Sequence, residues 1–275
     1  MYTRIIVPFD GSDFSARSIP VARQVAIATD APLKLVAFGI TASEVDDLYD
    51  AVSAEVERIN DIEVDWSVQR VTNVVGAIAD ELVEEPGALI CMASVGRSHV
   101  APVLGSIAEG VLQETFGPLL LVGPHVQEKR FVTTGPMLVC TDGSDTANAI
   151  LRVAAQWAIA MPFEPWVINV LESDGARIEG DLVGDIGPDA IYARHVAHEL
   201  QRDIERTVQY EVLHSNHPAR AIAEYAADNS ASLIAMATHG ASGVRRVVLG
   251  SVTMSVVHHA PCPVLVDRPL HLPVD

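Results

Sequence analysis

The stretch Ile6-Val7-Pro8-Phe9-Asp10-Gly11-Ser12-Asp13 returns 132 positions later as Leu138-Val139-Cys140-Thr141-Asp142-Gly143-Ser144-Asp145. In both copies a short apolar run leads directly into Asp-Gly-Ser, a turn sequence that also supplies helix N-cap residues. An apolar run of this length is typical of a strand buried on both faces. The repeated stretch therefore predicts a strand–turn–helix unit that opens each half of the chain.

The similarity between the two halves continues beyond this opening. Further landmarks recur in the same order: Ala77-Ile78-Ala79 as Ala221-Ile222-Ala223, and Leu104-Gly105-Ser106 as Leu249-Gly250-Ser251. A period of about 140 residues is the size of a domain, whereas solenoid repeats are several times shorter. We therefore divide the 275 residues into a first domain, 1–130, and a second domain, 131–275.

Each half alternates short apolar runs with segments of helical spacing. This alternation predicts an α/β fold in which a parallel sheet carries helices on both faces, in two Rossmann-like copies. Ligands of such sheets bind beyond the carboxyl ends of the strands, where the strand order reverses. We expect equivalent topologies related by a pseudo-twofold axis, and two sheets rather than one continuous ten-stranded sheet.

The composition excludes several classes of protein. A net charge of −18 is the opposite of the positive field that a general binder of nucleic acid or anionic membranes needs. Nowhere do 18 uncharged apolar residues run together, so we expect no membrane-spanning helix. The start of the chain does not resemble a signal peptide, and we expect a cytoplasmic protein. Cys91, Cys140 and Cys262 form no CxxC pair and are interpreted as small buried hydrophobic residues.

The segment 237–251 is the strongest candidate for a phosphate-binding loop. It contains three glycines, ends at a predicted helix start, and holds Arg245 and Arg246, the only adjacent arginines in the chain. Glycines let backbone N–H groups approach a phosphate, and a helix N-terminus attracts anions. A plain loop with an N-cap serine explains the same residues. Neither GxxxxGK[ST] nor GxGxxG occurs, so the loop is not that of a common NTPase or dinucleotide-binding fold.

With these motifs in view, the chain resembles the universal stress proteins in their tandem-domain form. The resemblance rests on the strand that runs into Asp-Gly-Ser, on the loop after the fourth strand, and on the Pro-x-x-Leu-Val pattern of the last strand. The loop pattern is Gly, two residues, Gly, nine residues, and Gly-Ser or Gly-Thr. The resemblance implies two adenine nucleotide alpha hydrolase-like domains, each with a five-stranded parallel sheet. It also implies pairing of the domains through their last strands and, as in many members, ATP at the loops. Mg²⁺ with ATP and a homodimer are further options.

Carried over to this sequence, the resemblance implies a set of adenosine contacts in each half. In the second half Asp142 would lie by the ribose and the Val170 backbone by the adenine, and the full set is Asp142, Gly143, Ser144, Val170, Gly240, Gly243, Gly250, Ser251 and Val252. The counterparts in the first half are Asp10, Gly11, Phe38, Gly96, Gly105 and Ser106. The plainer alternatives are turn aspartates at Asp10 and Asp142, and ordinary core at Val170.

The two candidate loops differ in length. Nine residues separate Gly240 from Gly250, as the family's pattern requires, although its first glycine is replaced by Ala237. Only eight residues separate Gly96 from Gly105, and Pro102 lies among them. We therefore expect ATP to bind more tightly to the second half. The alternative for Ser106 is a capping box with Glu109.

Three functions remain open at this stage. The first is a nucleotide-dependent regulatory switch of the stress response, with slow ATP hydrolysis at most. The second is an interaction module of the same family that binds no nucleotide. The third, an adenylating enzyme, lacks an SGGxDS-type loop and a nucleophile. The histidine pairs His195/His198 and His214/His217 have metal-ligand spacing, but a solvated helix face is the commoner explanation, so we predict no metal site.

Overall fold

The computed structural model describes residues 1–96, 104–171, 188–238 and 250–268. The first half contains, in chain order, β1 (Ile5–Pro8), α1 (Asp13–Ala16), α2 (Ser18–Thr29), β2 (Leu33–Gly39), α3 (Ala42–Arg58), β3 (Val64–Arg70), α4 (Val74–Glu84), β4 (Leu89–Ala93), α5 (Ser106–Glu114) and β5 (Gly117–Val122). A short 3-10 turn, Glu128–Arg130, lies between the halves. The second half contains β6 (Gly135–Thr141), α6 (Asp145–Asn148), α7 (Ile150–Ala160), β7 (Phe163–Leu171), α8 (Pro188–Ile204), β8 (Gln209–His214), α9 (Pro218–Asp228), β9 (Leu233–Ala237), α10 (Ser251–His259) and β10 (Val264–Arg268).

The strands form one sheet in the order β3-β2-β1-β4-β5-β10-β9-β6-β7-β8. Within each half the strands are parallel, and the order β3-β2-β1-β4-β5 is repeated as β8-β7-β6-β9-β10. The predicted α/β class and the equivalence of the two topologies are therefore confirmed. In each half the strand order reverses beside the first strand, which is where a ligand site is expected.

The expectation of two separate sheets was wrong. β5 and β10 pair antiparallel, with Gly117 opposite Arg268 and Leu121 opposite Val264, and this pairing joins the halves into a ten-stranded sheet. The pairing through last strands that the resemblance implies produces this continuity directly. Each of these strands would otherwise present a row of unpaired N–H and C=O groups at a sheet edge.

The apolar residues divide between the two faces of the sheet. Helices α2, α3, α7 and α8 cover one face, and helices α4, α5, α9 and α10 cover the other. Cys91 is buried on the first face, and Cys140 and Cys262 on the second, which confirms their interpretation as core residues. Burial raises the pKa of the Cys140 thiol to about 12. Within the described ranges, no helix is both long and apolar enough to cross a membrane.

Two equivalent positions at the ends of β5 and β10 make different contacts where the two halves meet. A side chain at Gly123 would place its Cβ 2.1 Å from the carbonyl oxygen of Val257 in α10. The repeat places Arg268 at the corresponding position of the second half. Its guanidinium donates hydrogen bonds to backbone carbonyls at the end of α5, including Leu112 at 3.3 Å, and lies 4.4 Å from the Phe116 ring centre.

The junction also buries polar groups. The indole N–H of Trp157 donates a 2.7 Å hydrogen bond to the Tyr2 hydroxyl and so links α7 to the start of the first half. Asp267 is 1% exposed, and neither of its carboxylate oxygens has a hydrogen-bond partner among the described residues. Burial raises the pKa of this carboxyl, and the charge of Arg152 opposes the rise in part. The residue at the matching position of the first half is Val122.

Candidate functional site

The carboxyl ends of the parallel strands place one candidate site in each half. Because β5 and β10 run antiparallel, the strands of the two halves point in opposite directions. The first candidate site, beyond β1, β2 and β4, therefore lies at one end of the sheet, and the second, beyond β6, β7 and β9, lies at the other.

A cavity of about 300 Å³ occupies the first candidate site. Its lining includes five of the six residues predicted for the first half: Asp10, Phe38, Gly96, Gly105 and Ser106. Gly11, the sixth, lies in the turn after β1 but is not part of the lining. Apolar side chains from three elements, α4, β4 and α5, also line the cavity: Val74, Ile78, Met92 and Ile107. The cavity is thus apolar on its walls and polar where the first strand and the loop after β4 end.

The turn after the first strand has the same structure in both halves. In the first half Asp10 Oδ1 accepts hydrogen bonds from the Ser12 N–H at 3.0 Å and from the Ser12 hydroxyl at 2.6 Å. In the second half Asp142 Oδ1 accepts the same pair from Ser144, at 3.0 and 2.7 Å. The intervening glycines have φ of 82° and 91°, which an L side chain adopts only with strain.

These bonds confirm the turn-aspartate alternative for one carboxylate oxygen of each residue. They leave the position of the other oxygen to be explained. In the first half a Cβ at Gly96 would lie 2.8 Å from Asp10 Oδ2, so the glycine makes room for that oxygen at the cavity wall. The aspartate thus anchors its turn and presents a carboxylate edge to the cavity.

The loop after the fourth strand of each half is closed by one backbone hydrogen bond. The Gly105 N–H donates to the Ser94 carbonyl at 2.7 Å, and the Gly250 N–H donates to the Thr238 carbonyl at 2.8 Å. Each glycine is the N-cap of the following helix and has no side-chain capping bond. The capping-box alternative for Ser106 was therefore wrong, because Ser106 is the first helical residue and Gly105 is the cap. The first N–H groups of a helix have no partner within the helix and suit an anion.

The second candidate site is described in part. Gly240 and Gly243 lie outside the described residues. Val170 is half-buried near the end of β7, Ser251 is exposed, and Val252 is half-buried. The described residues therefore fix both ends of the second loop without fixing its path.

Two features of these sites were not predicted from the sequence. Ser94 is fully buried in the lining of the first cavity, and its hydroxyl has no hydrogen-bond partner within the described ranges. In the second half Thr141, Asn148 and Tyr192 form a hydrogen-bonded cluster directly before Asp142. The repeat aligns Ser94 with Thr238, and a hydroxyl at both positions was a signal for the first feature. The second feature depends on contacts between residues that are distant in the sequence.

The histidine pair on α8 has a simple environment. His195 and His198 are both exposed, and His195 Nε2 lies 3.4 Å from the Glu199 carboxylate one turn later. Among the residues that the structure describes, no group of three His, Cys, Asp or Glu side chains is arranged to hold a metal ion.

The half-length matches among known proteins include two universal stress proteins of similar size to one half of this chain. The chain is 28% identical to universal stress protein YxiE of Bacillus subtilis over 145 residues, which cover 48% of this chain and 97% of that protein. It is 31% identical to universal stress protein MJ0531 of Methanocaldococcus jannaschii over 142 residues, 48% of this chain and 81% of that protein. Each relative thus matches about half of this chain.

Solved structures extend the similarity to the whole chain. A universal stress protein from Archaeoglobus fulgidus superposes with a TM-score of 0.67 over 97% of this chain and 96% of that one, at 19% identity, and so shares the fold. The model of the universal stress protein family matches twice, at residues 1–123 and 134–268. The chain therefore belongs to the universal stress protein family and carries two copies of the family's domain.

Proposed function

We propose that this protein is an ATP-binding regulatory protein of the stress response, whose nucleotide occupancy acts as a switch. The observation that carries the proposal is the first-half cavity at the carboxyl ends of β1, β2 and β4. It combines an apolar wall, an anchored carboxylate and a helix N-terminus without a side-chain capping bond within one lining. These are the three chemical features that a nucleotide's base, ribose and phosphates require.

Each feature suits one part of ATP. Phe38 and Met92 offer apolar surface to an adenine ring, and Asp10 offers an acceptor to ribose hydroxyls. The N-terminus of α5, with Gly105 as its cap, offers N–H groups to phosphate oxygens. The buried Ser94 hydroxyl supplies one more donor at the start of the same loop.

The charge of the chain explains why the phosphates need this local arrangement. At a net charge of −18, the overall field repels a polyanion, so helix N–H groups and a bound cation must offset it. Mg²⁺ is usually held by phosphate oxygens, waters and one or two carboxylates, so it would arrive with ATP and needs no preformed protein cage. Among the described residues, Asp10 supplies the one carboxylate in the lining of the first cavity.

The same residues support binding rather than turnover. The cavity lining includes no lysine, arginine or histidine among the described residues that could act on a leaving phosphate or activate water. We therefore propose a switch, with slow hydrolysis as the upper limit of any activity. Phosphate release in steady excess over protein would overturn this part of the proposal.

We further propose that the second half binds ATP more tightly, because its loop has the family's spacing of nine residues. Titration calorimetry of the full chain with Mg-ATP tests both statements. The halves must be tested together, because separating them would expose the β5 and β10 edges.

Two matched variants show how much of the heat of ATP binding comes from each half. Gly250→Val places a β-branched side chain at the helix start of the second site, and Gly105→Val does the same in the first, where a Cβ would lie 3.3 Å from the Ser94 carbonyl oxygen. Loss of a charge-assisted hydrogen bond costs about 1.5–3 kcal/mol. Gly250→Val should therefore weaken the tighter site roughly ten- to hundredfold, and Gly105→Val should affect only the weaker one.

Melting temperatures without ligand control for misfolding of either variant. If folded Gly250→Val binds ATP as tightly as the parent, the second-half site is wrongly placed. If the parent binds no adenine nucleotide, and none is found in a mass spectrum of the purified protein, the interaction-module alternative replaces the proposal.

A further inference from the structure

The second half holds the residue before its aspartate in a polar cluster that the first half lacks. Thr141 Oγ1 lies 2.6 Å from Asn148 Oδ1 and 2.7 Å from the Tyr192 hydroxyl. The Tyr192 hydroxyl in turn donates to Asn148 Oδ1 at 2.6 Å. From the neighbouring strand, the Asn169 amide donates to the Thr141 carbonyl at 2.9 Å. Thr141 and Asn169 are 6% and 3% exposed, and Asn148 and Tyr192 are half-buried, so the cluster is partly shielded from water.

These bonds fix the peptide that joins Thr141 to Asp142. The side chain of Thr141 contacts Tyr192 on α8 and Asn148 at the end of α6. Its carbonyl accepts a hydrogen bond from β7. The Tyr192 ring also covers the turn, since a Cβ at Gly143 would lie 3.9 Å from Tyr192 Cζ. Asp142 therefore leaves β6 in one orientation.

The first half solves the same problem by another route. Ser15 donates a 2.6 Å hydrogen bond from its hydroxyl directly to Asp10 Oδ1. The repeat places Ala147 at the position of Ser15 and Thr141 at the position of Phe9. At this position the second half thus has no counterpart of the Ser15 hydroxyl, although Ser144 still donates to Asp142, and it has a polar cluster beside the preceding residue.

We infer that Tyr192, through Thr141 and Asn148, is a positioning residue that orients Asp142 for nucleotide binding in the second half. The inference rests on the proposed function. In this role Tyr192 corresponds to Ser15 of the first half. Ser15 contacts the aspartate itself, whereas Tyr192, from a different helix, contacts the residue before the aspartate.

The test is Tyr192→Phe in a full chain that also carries Gly105→Val, so that the measured ATP affinity reports the second half. Loss of one neutral hydrogen bond should weaken binding roughly two- to tenfold. The melting temperature should change little, because the Thr141–Asn148 contact remains. Tyr49→Phe is the matched control: Tyr49 lies on α3 of the first half, where its ring packs against Trp66, and the change should leave affinity unaltered.

A rescue distinguishes positioning from a general structural role. Adding Ala147→Ser to Tyr192→Phe supplies the direct donor that Ser15 provides in the first half, and should restore the affinity of the Gly105→Val chain. If Tyr192→Phe leaves the affinity unchanged, or if Ala147→Ser fails to restore it, the inference is overturned while ATP binding stands. If the folded Gly105→Val chain binds no ATP, the proposed second-half site fails and the inference fails with it.

Discussion

The two halves close their candidate loops with the same hydrogen bond around loops of different length. Ten residues lie between Ser94 and Gly105, and eleven lie between Thr238 and Gly250. The closing bonds nevertheless measure 2.7 and 2.8 Å. The ends of each loop are set by a buried strand and a packed helix, which tolerate little change. The comparison shows that the two copies differ in the length of this loop and keep the strand and helix that hold its ends.

A second contrast concerns the residues that face the junction. The positions after β5 and at the end of β10 correspond, but one is Gly123 and the other is Arg268. The glycine lets a helix end approach the backbone, and the arginine reaches across to cap a helix end with its side chain. Equivalent helices are thus held by close packing on one side and by charge on the other.

The largest expected effect comes from removing this close approach. Gly123→Ala places a methyl group within 2.1 Å of the Val257 carbonyl oxygen, which cannot move without displacing α10. We expect a loss of about 3 kcal/mol in the free energy of unfolding, at the upper end for overpacking. Urea denaturation of parent and variant measures it.

Gly117→Ala is the control for Gly123→Ala. Gly117 has φ of +94°, but among the described residues no atom beyond its chain neighbours lies within 4 Å of an added Cβ, so the control carries backbone strain without a clash. Backbone strain of this kind costs about 1–2 kcal/mol. Equal destabilisation by the two changes would show that the approach of α10 to β5 is not tight.

The next effect should be a gain in stability. Asp267→Val gives the second half the residue that the first half has at Val122, and removes a carboxylate without a hydrogen-bond partner in the described ranges. An unpaired buried polar group costs about 1–3 kcal/mol. We expect the variant to be more stable than the parent by about that amount at pH 8.

The pH dependence of this gain follows from the pKa of Asp267, which burial raises above its ordinary 3.8. The folded state therefore binds the proton more strongly than the unfolded state, and protonation of Asp267 stabilises the folded parent. This stabilisation is complete below pH 3.8 and is lost as the pH rises through the folded pKa. The advantage of Asp267→Val should grow between pH 4 and pH 8 in paired thermal unfolding experiments. A gain that is constant with pH would mean that Asp267 keeps its charge throughout.

The smallest effect concerns the other side of the junction. Arg268→Ala removes the donors to the end of α5 and the contact with Phe116. Because the site is partly exposed, we expect a loss of about 1 kcal/mol in the free energy of unfolding. Arg268→Lys keeps the charge but not the planar group, and should lie between parent and Ala in urea denaturation. A larger loss than that of Gly123→Ala would reverse the proposed contrast.

The sequence was sufficient to predict the repeat, the alternation of strands and helices, and the two aspartate turns. Each of these depends on residues close together in the chain, such as Asp10 with Ser12. The resemblance implied pairing through the last strands, but the apolar runs of β5 and β10 carry by themselves no sign of which edge they pair with, and two separate sheets were expected. The cluster of Thr141 and Tyr192 joins residues 51 positions apart, and neither polar residue marks a motif.

The antiparallel pairing of β5 with β10 has a consequence for synthesis on the ribosome. β5 is complete at Val122, whereas its partner strand ends at Arg268. At roughly 5–20 residues per second, the intervening chain takes about 7–30 seconds to emerge. During that interval the first half carries an open sheet edge that a neighbouring nascent chain can cap. The covalent link between the halves then favours the correct partner, because β10 arrives at a high local concentration that no separate chain matches.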